Sequence, residues 1–595
     1  MPAGVKRFLD KAETYAVPVI NAVLLIFACV GVYTSYFMNT AGRSFWLDEA
    51  SLSISFSKRT LAGLFTEGGL EHNQSAPLGW LYIEKILSLL FGNNEAVLRT
   101  GSFAAFILVL VSLVFIQFFY FRSRFPFAAA AIVSNIEFVL KYSNMFKQYM
   151  FESFIALFIC ILFILLIKKK IPYPLFILLW MLSIWFAQIA AFVEGGLILS
   201  VLIYSFINKD RERIKQTVLS GVMITLSFIA YYFAWIHRMG SVGALQDYWD
   251  DKFFPLIPGS LSDIRLMLTL IQDIFKIFPD GSTVFIGIMC VLGIVYAVIK
   301  KDELISGIFL GFFVALSASF IHMFPISPRL CCYMYPLLVL ISVVAFEWLF
   351  PEGSPKLILC GVIIIAVTAA GTGIKYYLNP LHGYIGGEEL NTELDYLKSH
   401  IGADDKIYVY YGTKGAFEYK NGYDNPSFGD YENNVVMGST YFDEDDERPE
   451  EEMKKVLSFD KCYIVSSHLS DGIYPLFDYL QDKGSLELIS YEHQTPLMYF
   501  CRDNSDSKID FTMNEENTEN RNDMVHSVIH IENTGEAYLN SPYNDIFLED
   551  TDNGKVYAIE DLIAPGESVD ISVSYPSDKA AHFVLLSNHG RISGS

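Results

Sequence analysis

The chain has 595 residues, of which 52% are hydrophobic, 15% aromatic and only 18% charged, with a formal net charge of −22. That length implies two or three units rather than one ordinary domain, and so apolar a chain points to the membrane, because charge is expensive in hydrocarbon. Acidic residues concentrate after residue 380, which argues against a nucleic-acid partner for that tail, since phosphate contacts need Lys and Arg.

Lys6, Arg7 and Lys11 precede an apolar run from Val17 to Tyr36. The run is long for a signal peptide and no small-x-small cleavage site follows, so it is expected to stay as the first span. A crossing needs roughly 20 mostly apolar residues. The candidates are 15–37, 98–120, 126–140, 149–167, 171–187, 189–207, 216–236, 282–299, 304–322, 331–350 and 357–377. Segment 75–91 carries Glu84-Lys85 in its middle and reads as a helix lying in the interface.

With the N-terminus inside and 75–91 flat, the inside loops hold Arg122 and Arg124, Lys168 to Lys170, Lys209 to Lys215, Lys300-Lys301 and Lys356. A crossing at 75–91 would move all of these outside, against the positive-inside rule. The expectation is eleven crossings, with segments 38–97, 141–148, 237–281, 325–330 and everything after about 380 on the exterior face.

The expected fold is thus an α-helical polytopic membrane domain (1–380), a small exterior α/β domain (381–503) and a β-sandwich-like domain (504–595). In the α/β part a polar helix near Glu388–Ser399 precedes a strand at 406–411. A second strand at Lys461–Ser466 leads to a helix at Tyr474–Gln481. The acidic stretch Asp443–Glu452 reads as a solvated loop lacking the ligand spacing of a calcium site. Alternating runs at Val525–Ile531 and Val569–Val573, with turns at Asn533–Gly535 and Pro565-Gly566, suggest a sandwich acting as spacer or docking module. Of eight cysteines, Cys462 and Cys501 share the exterior part and have the opportunity to pair; no metal-type Cys spacing occurs.

The residues with chemistry cluster on the exterior segments. Phe45-Trp-Leu-Asp48-Glu49-Ala-Ser51 puts two carboxylates beyond the first span, where an ordinary polar loop is the bland reading. Glu71-His72-Asn73-Gln-Ser-Ala-Pro-Leu78 opens the flat helix, either as an N-cap at Ser75 with a first-turn proline or as polar groups beside the acidic pair. Arg99 begins a span at its outer end and either snorkels or holds a phosphate. Tyr142-Ser-Asn-Met-Phe-Lys147-Gln-Tyr149-Met-Phe-Glu152 sets a carboxylate inside an apolar pattern, costly unless paired or used. Pro325-Ile-Ser-Pro-Arg329 and Tyr333 add one more cation on that side.

In this order the pieces resemble the polytopic glycosyltransferases that use polyprenyl-phosphate sugars, a GT-C type close to glycosyltransferase family 39, with the protein O-mannosyltransferases and lipid A aminoarabinose transferases. The resemblance runs through Asp48-Glu49, His72…Ala76-Pro77-Leu78, Phe91-Gly92…Leu98-Arg99 and Tyr142-Ser143…Lys147-Gln148-Tyr149…Glu152, and covers the membrane half. Related sequences often have Asp at the place of Glu152 and a second Pro at the place of Ala76. The resemblance implies a sugar phosphate on a long isoprenoid as donor, inverting transfer to a hydroxyl on a glycan, lipid or protein, and Asp48 as general base, with Glu49 beside it. It makes Arg99, Lys147 and Arg329 candidates for the phosphate, and His72, Asn73, Tyr149, Glu152 and Tyr333 for the sugar or acceptor pocket. Some relatives use a divalent metal, for which Asp48, His72 and Glu152 are the available ligands, and others do not. A multi-spanning transporter is the rival reading, but no internal repeat is visible and the charges gather at one face; a non-catalytic cell-envelope assembly protein is another. An uncleaved N-terminus with an acidic exterior suits a bacterial plasma membrane.

Overall fold

The structure is a computed structural model that describes residues 3–70, 74–239, 246–278, 280–350, 356–371, 389–402, 405–422, 435–439, 449–467, 474–492, 495–502, 507–541, 545–587 and 590–591. The chain divides into two compact units. The first comprises residues 1–42 and 55–385, and the second residues 43–54 and 386–595. His72 and Asn73 lie outside the described residues, as does most of the acidic stretch 443–452.

The first unit is helical. Its elements are α1 (Ala3–Thr40), the end of α2 (Leu47–Lys58), α3 (Leu61–Thr66), α4 (Leu78–Phe91), α5 (Glu95–Phe115) with a π-helical turn at Ile116–Phe121, α6 (Ala128–Val133), α7 (Glu137–Tyr142) and α8 (Tyr149–Ile167). There follow α9 (Tyr173–Phe186), α10 (Ala190–Ile207), α11 (Arg211–Ala234), α12 (Leu261–Phe275), α13 (Asp280–Lys300), α14 (Glu303–Phe320), α15 (Met334–Trp348) and α16 (Lys356–Gly371). Among the described residues, seven stretches are long and apolar enough to cross a bilayer, and α9, α15 and most of α16 are shorter apolar helices. This is a multi-pass membrane protein.

The stretch 126–140, expected as one span, is instead two six-residue helices. Asn135 sits at the break, and its amide donates to the Ala131 carbonyl at 2.7 Å and the Phe27 carbonyl at 3.1 Å. Such a side chain offers the backbone an alternative to the helical ladder. The pair still carries the chain back. Ser102, near the start of α5, donates to the carbonyl of Met145 (2.6 Å), just before α8, so both helices begin at the same end.

Hydrogen bonds sort the loops between two ends of this unit. At one end Arg213 forks onto Glu303 at 2.6 and 2.5 Å, the Tyr173 hydroxyl donates to the Gln216 carbonyl (2.7 Å), and Ser123 donates to Glu347 (2.6 Å). All the basic loops named above flank these contacts. Four helices finish there on a basic residue in the left-handed region: Arg122 (φ 53°), Lys169 (52°), Lys209 (55°) and Lys301 (51°). The last three close Schellman turns, with bonds from the Lys170, Asp210 and Asp302 N–H groups to the Leu165, Ser205 and Ala297 carbonyls, while Arg122 ends the π-helical turn. Glycine is the usual occupant, because a Cβ makes this conformation cost roughly 1–2 kcal/mol.

The second unit contains the first residues of α2 and the tail. In the tail, α17 (Asn391–His400), α18 (Lys414–Gly422), α19 (Pro449–Val456) and α20 (Tyr474–Gln481) accompany a sheet of order β2-β1-β3-β5-β4. Here β1 is Ile407–Val409, β2 Val435–Met437, β3 Lys461–Val465, β4 Ser485–Glu492 and β5 Thr495–Cys501. β1 is parallel to β2 and β3, while β5 is antiparallel to β3 and β4. Tyr408, Ile464, Leu476, Leu480, Met498 and Phe500 form its core. The end of the acidic stretch is not loop but the start of α19, where buried Glu452 accepts from the Ser439 N–H at 2.8 Å. Cys462 and Cys501 form no disulfide. Cys462 stands opposite Phe500 in the register, so Cys501, one residue on, points to the other face of the sheet.

Beyond residue 507 two antiparallel sheets follow. One has order β10-β7-β6, with β6 at Phe511–Arg521, β7 at Met524–Asn533 and β10 at Ser568–Pro576. The other has order β12-β11-β8-β9, with β8 at Ile546–Asp550, β9 at Lys555–Ala558, β11 at Phe583–Ser587 and β12 at Gly590–Arg591. The alternation of buried and open residues along β7 is what a half-covered strand requires.

Candidate functional site

In the helical unit, polar residues meet at the end opposite the basic loops. Lys147, only 4% exposed, directs its ammonium to the side-chain carbonyl of Gln74. Gln148 donates to the Ser75 carbonyl (3.3 Å), and the Trp235 indole donates to the Ala76 carbonyl (2.9 Å). The 74–77 segment, the 145–148 turn and the end of α11 are thereby fastened together. Ser75 does not cap α4, contrary to one reading of its position; Pro77 is the N-cap residue and makes no side-chain cap bond.

Arg99 lies one turn before Ser102 on α5 and is 1% exposed. That burial rules out snorkelling, which keeps the charged head in water. Tyr149 opens α8, buried, with its ring edge-on to Tyr142 at 5.2 Å. Glu152, one turn further along α8, is also buried. Ser153 beside it lies 3.6 Å from the thiol of Cys332, which adjoins the fully buried Tyr333. Arg329 is half-buried and its guanidinium stacks over Trp249 at 4.4 Å and Tyr248 at 5.9 Å. The structure thus joins Lys147, Tyr149, Glu152 and the 332–333 step, while Arg329 is held by rings of the long 237–281 connection.

Two further carboxylates of the helical unit, Glu194 and Glu84, are buried. Glu194, in the first turns of α10, has both oxygens buried with no hydrogen-bond partner among the described residues. Its signal was available: a lone acid inside an apolar span is costly. Glu84 on α4 was noted, but as an interfacial residue. In fact Glu84 and Lys85 turn inward, while Ile86, Leu89, Leu90 and Phe91 are 48–68% exposed. Lys85 donates to the Phe56 carbonyl at 2.7 Å. The Glu84 carboxyl fills the space over Gly101 of α5, where a Cβ would come within 1.8 Å of its oxygen.

Burial pushes the Glu84 carboxyl well above its ordinary 4.5, opposed in part by the Trp80 indole. A raised carboxylate gives stability that is full below the unfolded value and is lost as pH rises toward the folded one. Glu84→Gln keeps the neutral shape, so the melting temperature of the variant should exceed that of the wild type near about pH 8 and converge with it below about pH 4.5. Parallel pH profiles would show that Glu84 is not protonated in the folded protein.

In the second unit, the Ala50 N–H bonds back to the Trp46 carbonyl (2.9 Å) as α2 begins. Asp48 and Glu49 occupy the first turn, where helix dipoles favour anions. Their surroundings differ. Glu49 is fully buried and paired with Arg43 at 3.2 Å, whereas Asp48 is only partly buried. Among the described residues no three His, Cys, Asp or Glu side chains form a group able to hold a metal.

No family model matches the chain, and no curated protein does. Among solved structures, the crystal structure of ArnT from Cupriavidus metallidurans bound to undecaprenyl phosphate is similar at 10% identity and a TM-score of 0.47, over 80% of this chain and 97% of that one. The apo structure of the same ArnT is similar at 11% identity, with the same score and coverage.

Proposed function

We propose that this protein transfers a sugar from a polyprenyl-phosphate carrier to an acceptor hydroxyl at the exterior membrane face, by a single inverting displacement. The observation that carries the reading is the contrast within the acidic pair: Glu49 is neutralised by Arg43 in a buried contact, while Asp48 stays accessible in the same helical turn. A general base must reach the proton it removes, and Asp48 meets that condition where Glu49 does not. Glu49 then orients the turn rather than accepting the proton.

In the same reading Arg99, Lys147 and Arg329 take the phosphate and its growing charge as the glycosidic bond breaks. His72, Asn73, Tyr149, Glu152 and Tyr333 belong to the sugar or acceptor pocket. The basic loops face the cytoplasm, in accord with the positive-inside rule, which puts the polar end of the helical unit and the tail outside.

Purified protein supplied with a polyprenyl-phosphate sugar and a hydroxyl acceptor should release the polyprenyl phosphate and yield product of inverted anomeric configuration. Retained configuration would remove the single displacement, and solute movement across sealed vesicles without any lipid donor would favour a transporter.

A further inference from the structure

In the mixed sheet of the second unit, β1 lies between β2 and β3 and parallel to both, so the strand order reverses beside it. In open α/β sheets such a reversal opens a crevice at the carboxyl ends of the strands, where ligands usually seat. Here Thr413, past the end of β1, receives the Ser467 N–H from past the end of β3 at 2.6 Å, tying the two edges together. The chain then enters α18, whose first turn faces residues of α2. A Cβ on Gly415 would lie 3.4 Å from the Ser51 hydroxyl and 3.6 Å from the Ala50 methyl. One turn on, the Tyr419 ring lies 4.9 Å from that of Phe45.

The other side of the segment is held as well. The Ser44 N–H donates to the Glu389 carboxylate (3.1 Å), and the Ser44 hydroxyl accepts from the Leu390 N–H (2.8 Å). Thr495 of β5 in turn donates to the Glu389 carbonyl at 2.7 Å. Ser44, Phe45, Glu49, Ala50 and Ser51 are each no more than 1% exposed, and Asp48 is the less buried of the two acids of this turn.

We infer that the α/β part of the tail is a cradle for the first turn of α2, with Ser44, Glu389, Gly415 and Tyr419 as positioning residues that fix where the Asp48 carboxylate stands. The inference rests on Asp48 acting as the base, but its physical content is independent of the reaction. The sheet's crevice region receives the chain's own helix, so the α/β domain is a working part of the site.

The experiment uses the full-length protein with Tyr419→Ala, Tyr419→Phe and Ser44→Ala, each in two backgrounds. With Asp48 intact, Tyr419→Ala should lower kcat about tenfold or more while KM for the lipid donor holds, since small misplacements of a reacting group are costly. Tyr419→Phe, which keeps the ring, should restore the rate, and Ser44→Ala, which removes a single oxygen, should lower kcat about threefold. With Asp48→Cys, alkylation at position 48, read by peptide mass, should speed up by the same factors in the same order. Unchanged alkylation in Tyr419→Ala and Ser44→Ala overturns the cradle. Faster alkylation in a protein whose wild type transfers no sugar upholds the cradle and removes the base assignment instead.

Discussion

Asp48→Asn should abolish sugar transfer, with a loss in kcat of about 10²- to 10⁴-fold, the share that a positioned general base contributes. Asparagine has nearly the same volume and still suits the first turn of a helix, so α2 should fold as before. The variant protein should therefore reach the membrane in normal amount and still bind the lipid donor. Glu49→Gln should behave differently. It takes a charged partner from Arg43 at a site where both groups are buried, and breaking a buried pair costs about 3 kcal/mol or more in stability. Its defect should appear first as a lowered melting temperature, with the activity of each folded molecule reduced less than in Asp48→Asn. A normal transfer rate in Asp48→Asn would sink the mechanism.

Lys147→Met should produce the second large loss, about 10²- to 10³-fold in kcat, because a preorganised cation stabilises the leaving phosphate far more in a dry site than in water. Methionine fills most of the lysine stem, so packing around the 145–148 turn is largely kept. A purely structural role for Lys147, as a clamp on Gln74, predicts another outcome: a lower melting temperature with undiminished turnover per folded molecule. The two are separated by measuring melting temperature and kcat on the same preparation. Polyprenyl phosphate should also bind more weakly to Lys147→Met than to the wild type.

The parts of the fold that follow from local pattern were legible in the sequence. The helix at Tyr474–Gln481 is found where its apolar spacing put it, and the alternation at 525–531 and 569–573 falls inside β7 and β10. The break at Asn135 was not legible, because it depends on a side chain reaching the Phe27 carbonyl 108 residues away. The inward turn of Glu84 escaped for a related reason. A helix between water and lipid shows the same amphipathic pattern whichever face is inside, and Gly101 opposite decides it.

The candidate site divides along the same line. Lys147 and Glu152 were legible because charge at the margin of an apolar run has few uses. Arg43 was overlooked, standing outside every motif, although it neutralises Glu49. The attachment of residues 43–54 to the tail was beyond reach, since Ser44 and Glu389 are 345 positions apart and neither carries a pattern that names the other.

The four basic residues that end helices in the left-handed region have a consequence for engineering. Arg122, Lys169, Lys209 and Lys301 occupy positions where the backbone favours glycine. A thermal selection on purified protein would reward glycine at each, since relieved strain is a common route to a higher melting temperature. In the proposed orientation, the same substitutions would erase positive charges that favour the cytoplasmic side. A variant improved in detergent would thus be worse at entering the membrane the right way round, so thermostability screens on this protein should score membrane orientation as well as heat resistance.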